Sequence, residues 1–177
     1  MPRLFVGVFL PDEVKEPVLD FQGSLAKMPM RMKPVEPGNL HISLVFLGER
    51  RDDEVKKAAA ALDDVCGRYK RFTVKIGGGM VIPNESYIRV VALGVRSGGD
   101  VLESLRNDIV GAVGGDSHPA HLTLARVRDV SDKVFVAGAV TACKAEFYFE
   151  VGSVCLVKSV LKGDGPRYTV VHESRLG

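Results

Sequence analysis

Two of the four histidines in this 177-residue chain open the same four-residue word, eighty positions apart. Leu40-His41-Ile42-Ser43-Leu44 returns as Ala120-His121-Leu122-Thr123-Leu124: His, an apolar residue, a hydroxyl, Leu. Polar and apolar residues alternate in both copies. A strand of period two therefore sets His and hydroxyl side by side on one face and turns the apolar residues to the other. Any fold for this chain must supply two such half-buried strands. The remaining histidines lie outside the word, since His118 precedes Pro119 and His172 precedes Glu173. One copy alone reads as an ordinary strand histidine near the core; two copies at matching positions point to a shared task.

The rest of the chain supplies elements around those strands. Residues 3–9 alternate as a strand, and Pro11-Asp12-Glu13 opens a helix reaching about Lys27. Arg31 to Gly38, with two prolines, reads as an extended loop leading into the first motif strand, 39–47. Asp52-Asp53-Glu54 places acid in the first turn of a second helix, with Val55, Ala58, Leu62 and Val65 on its buried stripe. Residues 71–77 and 86–94 read as strands flanking a Gly77-Gly78-Gly79 loop region. That triplet lacks a following Gly-Lys-Ser/Thr and a helix, so it reads as a turn or bulge and gives no grounds for an ATP site. A third helix spans about Asp100 to Val113, before the second motif strand, 120–128. Segment 130–143 is open between strand and helix. Residues 146–160 and 167–173 give late strands joined at the turn Gly163-Asp164-Gly165-Pro166. The expected class is α+β, one domain over 1–177 with two lobes, each a mostly antiparallel sheet with helices outside. The motif strands would bring the histidines together from opposite walls of a shared cleft.

An apolar content of 46% is enough for a sizeable core. Cys66, Cys143 and Cys155 are odd in number, widely spaced and without Cys-x-x-Cys, which argues against a disulfide framework or zinc site and fits a reducing cytoplasm. The apolar start meets Pro11-Asp12-Glu13 too soon for a signal peptide, and no run approaches membrane-spanning length. A cytoplasmic protein without membrane association is expected. The net charge of +2 is too small for tight non-specific duplex binding. An anionic ligand would have to be caught by local charge, with Arg31 and Lys33, Arg50 and Arg51, and Arg126 and Arg128 as the candidates beside the two motifs.

Histidine is the side chain whose ordinary pKa permits both protonation states near neutral pH. Two rings flanking a phosphorus centre can divide proton transfer, one taking a proton from the attacking oxygen and one giving a proton to the leaving oxygen. The Ser43 and Thr123 hydroxyls could donate hydrogen bonds to the non-bridging oxygens. A nucleophilic Ser43 is the alternative, but no Gly-x-Ser-x-Gly elbow surrounds it. A two-histidine metal site would normally recruit a nearby carboxylate, and neither strand has one until Glu49 and Asp129. The metal-free acid–base reading is preferred.

Asn39-Leu40-His41-Ile42-Ser43-Leu44-Val45-Phe46-Leu47-Gly48-Glu49 and His121-Leu122-Thr123-Leu124-Ala125-Arg126-Val127 resemble the paired signatures of the 2H phosphoesterase superfamily, in particular its 2′-5′ RNA ligase-like, or RNA 2′,3′-cyclic phosphodiesterase, family. Arg3-Leu4-Phe5-Val6 and Gly165-Pro166-Arg167-Tyr168 fit as well. The resemblance implies a bilobal, pseudo-twofold fold with a central cleft. It implies opening of RNA 2′,3′-cyclic phosphates to 2′-phosphomonoesters without a cofactor, sometimes with reversible ATP-independent 2′-5′ joining of tRNA halves. It also implies His41 as acid toward the ribose O3′, His121 as base on water, and Phe46 and Arg126 as partners of the terminal base. The chain departs from the family in having Ser43 where Thr is usual and Ala120, not Pro, before His121. Phe46 and Arg126 each lie five residues past a His, an odd offset that an unbroken strand turns away from the catalytic face; a bulge or strand end would bring them back. Two other readings stand beside this one: a 2H enzyme acting on a small nucleotide such as ADP-ribose 1″,2″-cyclic phosphate, and a non-catalytic module binding RNA ends. A monomer is favoured.

Overall fold

In the computed structural model, which describes residues 2–177, nine strands and four α-helices follow the order β1 (Arg3–Phe9), α1 (Asp12–Leu25), β2 (Met30–Pro34), β3 (His41–Glu49), α2 (Asp52–Cys66), β4 (Phe72–Asn84), β5 (Tyr87–Ser97), α3 (Gly99–Val113), β6 (His121–Val130), α4 (Lys133–Thr141), β7 (Glu146–Val151), β8 (Ser153–Lys162) and β9 (Gly165–Arg175). The strands form one curled antiparallel sheet in the order β7-β4-β5-β6-β3-β1-β8-β9, with β2 added beside β6. The two expected sheets are thus halves of a continuous one. They join where Ile42 of β3 faces Leu122 of β6, both fully buried. The motif strands are neighbours, so their polar residues converge from adjacent strands and not from separated walls.

Each half is assembled from both ends of the chain. Helix α2 lies against β8 and β9, and α3 against β3, backing the half that holds the first motif. Helix α1 packs against β7 and α4 against β4, backing the half that holds the second. The helices bury the stripes that their apolar spacing demands: Val14, Val18 and Leu25 on α1, Ala58, Leu62 and Val65 on α2, Leu102, Leu105 and Ile109 on α3. The α2 packing is further stitched by Asp63. Its carboxylate lies 2.8 Å from His172 Nε2 and accepts from the buried Ser174 hydroxyl at 2.7 Å, both on β9.

Three expectations are corrected. The proline-containing stretch 31–38 is not loop throughout: Met30 to Pro34 pair with β6, because Pro34 closes the strand and the chain needs only one ladder there. A 3-10 turn, Pro37–Asn39, then delivers β3. The glycine triplet is the bulge read from it, but it lies within a strand and not in a loop between two strands: β4 runs through it, with the bulge between Gly77 and Gly79. The late apolar stretch 146–160 is two strands, broken at Gly152. Segment 133–141 resolves as helix, started by the Asp132 carboxylate accepting from the Phe135 amide.

Candidate active site

His41 and Ser43 stand on β3, His121 and Thr123 on β6, and all four line one cleft of about 280 Å3. In both strands the residues facing away from it, Ile42 and Leu44, Leu122 and Leu124, are fully buried. Alternation then breaks identically in the two copies. Leu44-Val45 and Leu124-Ala125 are consecutive buried pairs. Opposite them the ladders skip a residue: Val6 and Gly7 face Val45 and Ser43, and Val91 and Ala92 face Ala125 and Thr123. Leu44 and Leu124 are therefore bulge residues. Each bulge reverses the facing of the residues beyond it, returning Phe46 and Arg126 to the cleft side despite their odd offset from the histidines. The bulge that the odd offset required is therefore present in both strands. Its sequence signal was present as an apolar doublet at the same place in both words.

Both rings are held in the same way. A backbone carbonyl two residues upstream, Asn39 O at 2.6 Å and Pro119 O at 2.9 Å, accepts from Nδ1–H of His41 and His121 respectively. A carbonyl can only accept, which fixes the neutral tautomer and leaves Nε2 of each ring for chemistry. Nε2 of His41 lies 2.9 Å from the Ser43 hydroxyl. His41 is enclosed by aromatic rings, with centroids of Phe5, Phe9 and Tyr168 at 4.9, 5.4 and 5.4 Å. Burial is the main force holding its pKa below the ordinary 6.5; the Asn39 hydrogen bond partly opposes it, and the positive fields of Arg126 and His121 add to it.

The cleft contains residues that the word does not include. Tyr168 from β9 lines it beside His41, and its phenol is pushed up by burial. His118 lies 6.0 Å, ring to ring, from Phe46. The backbone of Asp116, which exchanges two hydrogen bonds with Phe46 at 2.7 and 2.9 Å, ties that loop to the first bulge. Lys33 from β2 faces the cleft and donates to the Asp164 carbonyl at the β8–β9 turn. No pattern in the sequence separates His118 or Phe5 from ordinary loop and strand residues. The basic candidates, by contrast, sort themselves. Lys33 and Arg126 face the cleft, Arg31 and Arg128 lie in a groove continuous with it, and Arg51 caps α2 through Glu54. Among the described residues no group of three His, Cys, Asp or Glu side chains is placed to hold a metal ion, and no helix is long and apolar enough to cross a membrane.

Residues 8–92 match the family described as LigT like phosphoesterase. A Methanothermobacter thermautotrophicus protein named RNA 2′,3′-cyclic phosphodiesterase is 32% identical over 184 residues, covering 98% of each chain. The chain belongs to the LigT-like 2H phosphoesterases. A Thermus thermophilus relative of the same name is also 32% identical, covering 98% of this chain and 90% of its own. Among solved structures, Escherichia coli LigT complexed with phosphate superposes with a TM-score of 0.79 at 27% identity, over 99% of this chain and 97% of that one. This LigT-like chain therefore shares the fold along its whole length.

Proposed function

We propose that the protein is an RNA 2′,3′-cyclic phosphodiesterase that hydrolyses cyclic ends to 2′-phosphomonoesters without a metal. The observation that carries this is the paired Nε2 atoms, each fixed in tautomer by an upstream carbonyl and each accompanied by a hydroxyl on the same cleft face. Curated relatives of near-equal length carry that activity in their names. Water attacks phosphorus on the side opposite O3′. His121 takes the water proton, the P–O3′ bond breaks, and His41 gives O3′ its proton. Ser43 and Thr123 donate to the non-bridging oxygens as charge concentrates there. In the free protein burial favours neutral His41; the charge of a bound phosphodiester favours the cation that an acid must be. Phe46 stacks on the terminal base and Arg126 draws the anion in. A 5′-hydroxyl in the place of water would yield a 2′-5′ linkage by the same bond changes, so RNA ends, tRNA halves among them, are the proposed partners.

The test is turnover of 2′,3′-cyclic-phosphate RNA in EDTA, with the product's phosphate position identified. We expect a 2′-phosphate, and a loss of at least ~100-fold in His41→Ala and in His121→Ala, the scale of a missing acid or base. Near-wild-type turnover in either variant, or abolition by EDTA alone, would overturn the mechanism.

A further inference from the structure

The cleft has room for a terminal nucleotide, and one side of it opens onto a second groove formed by β2 and β6. Lys33 and Pro34 belong to both. The groove's polar wall is cationic, being lined by Arg31, Lys33 and Arg128. Strand pairing sets Lys33 directly opposite Arg126. Arg128 falls at a bulge one step further on, where Arg31 faces Asp129. Like charges opposite one another across a ladder destabilise it. A carboxylate within 4.0 Å is the minority case for Lys and Arg among the described residues, held by Arg3, Lys15, Arg51, Arg71, Lys75, Arg106 and Arg167, so it is the side-by-side placement of the groove cations that sets them apart. Among the described residues Arg31, Lys33, Arg126 and Arg128 have none, although Asp129 is in register and Glu36 lies at the cleft. Four unneutralised cations in two rows, leading away from the reacting end, form a surface for a chain of negative charges.

We infer that this groove is a backbone track: the phosphates on the 5′ side of the reacting nucleotide run along β2, over Lys33 and then between Arg31 and Arg128. Two residues of strand advance by about 6.6 Å, close to one phosphate step of an extended single strand. Met30 and Met32, the alternate residues of β2, pack against the core and fix that row on the outer face. Among the described residues no aromatic side chain lines the groove, so it reads charge and not base identity. The inference rests on the phosphodiesterase reading and makes the substrate a polymer end, setting it apart from a small cyclic nucleotide.

Two measurements separate the track from the chemistry. The first is binding of a single-stranded hexamer bearing a 3′-phosphate, compared with the 3′-mononucleotide. The second is kcat/KM for the matching 2′,3′-cyclic substrates. The wild type should favour the hexamer by at least ~10-fold in both. Arg31→Gln/Arg128→Gln should reduce that preference to within ~2-fold and leave mononucleotide kcat/KM unchanged. The log–log salt slope of hexamer binding should fall by roughly 0.7, the value for one single-strand phosphate no longer neutralised. Arg31→Lys/Arg128→Lys should retain most of the preference. A wild type that binds both lengths equally, or a glutamine variant that keeps the preference, overturns the track. If the hexamer binds preferentially while neither cyclic substrate turns over, the track stands and the phosphodiesterase reading falls.

Discussion

At the scale of single residues, the two catalytic candidates share a tautomer but not an environment. His41 lies among Phe5, Phe9 and Tyr168, and its pKa is held below the ordinary value mainly by burial, with Arg126 contributing. Arg126→Gln should therefore raise the His41 pKa toward 6.5, as read from its imidazole proton shifts; an unchanged or lower value would show that Arg126 exerts no field there. A ring whose folded pKa is depressed binds its proton more readily in the unfolded chain. Its contribution to stability is complete above the unfolded value of about 6.5 and is lost as pH falls from there through the folded pKa. The urea midpoint should decline below about pH 6.5, and His41→Asn should flatten that decline. The word His-x-[ST]-Leu made the four polar residues legible because local alternation alone decides their facing. Tyr168 and His118 were not legible as cleft residues, since their positions depend on strand order and on the Asp116–Phe46 bridge, which join segments distant in sequence.

Elements were legible where one face is buried and less so where a partner strand decides. The amphipathic helices α1 to α3 and both motif strands follow from spacing. The short β2 and the passage of β4 through Gly77-Gly78-Gly79 depend on neighbours that no local pattern names. At Gly78, φ is +69°, the left-handed region in which glycine is at ease. Gly79 is required by its neighbour instead, because a Cβ there would overlap the Val140 carbonyl at the end of α4. A backbone oxygen cannot rotate aside as a side chain can. Gly79→Ala should thus push α4 from β4 and cost ~1–3 kcal/mol, the usual penalty for overfilling a packed interior. Gly111, on an exposed turn of α3 where a methyl group would meet nothing within 4 Å, provides the control. Its replacement by Ala should be neutral or stabilising by up to ~1 kcal/mol. Equal denaturation midpoints for Gly79→Ala and the wild type would contradict the close approach.

For the whole molecule, the pseudo-twofold arrangement of motifs conceals an interleaved chain. Residues up to Asn84 contribute β1, β3 and α2 to the first-motif half, yet also α1, β2 and β4 to the other. The first-motif half is completed only by α3, β8 and β9 from the later residues. A sequence repeat does not reveal that exchange, because each word specifies its own strand and not which sheet edge later strands will join. Buried Gln22 of α1 illustrates the dependence: its amide donates to the carbonyls of Leu124, at 2.7 Å, and Val35, at 2.9 Å, so the second bulge is held by a helix from the first third of the chain. Neither part can close its own core, and the halves meet at the buried Ile42–Leu122 pair. We therefore expect residues 1–177 to unfold as one cooperative unit. Far-ultraviolet circular dichroism and tyrosine fluorescence should give coincident urea transitions, and the isolated 1–84 segment should show no cooperative transition. Ile42→Ala should destabilise the whole by ~2–5 kcal/mol, the range for a deleted large core side chain, shifting the common transition without splitting it. Two separated transitions, or a cooperatively folded 1–84 fragment, would show instead that the halves are independent domains and that the cleft lies at an interface between them.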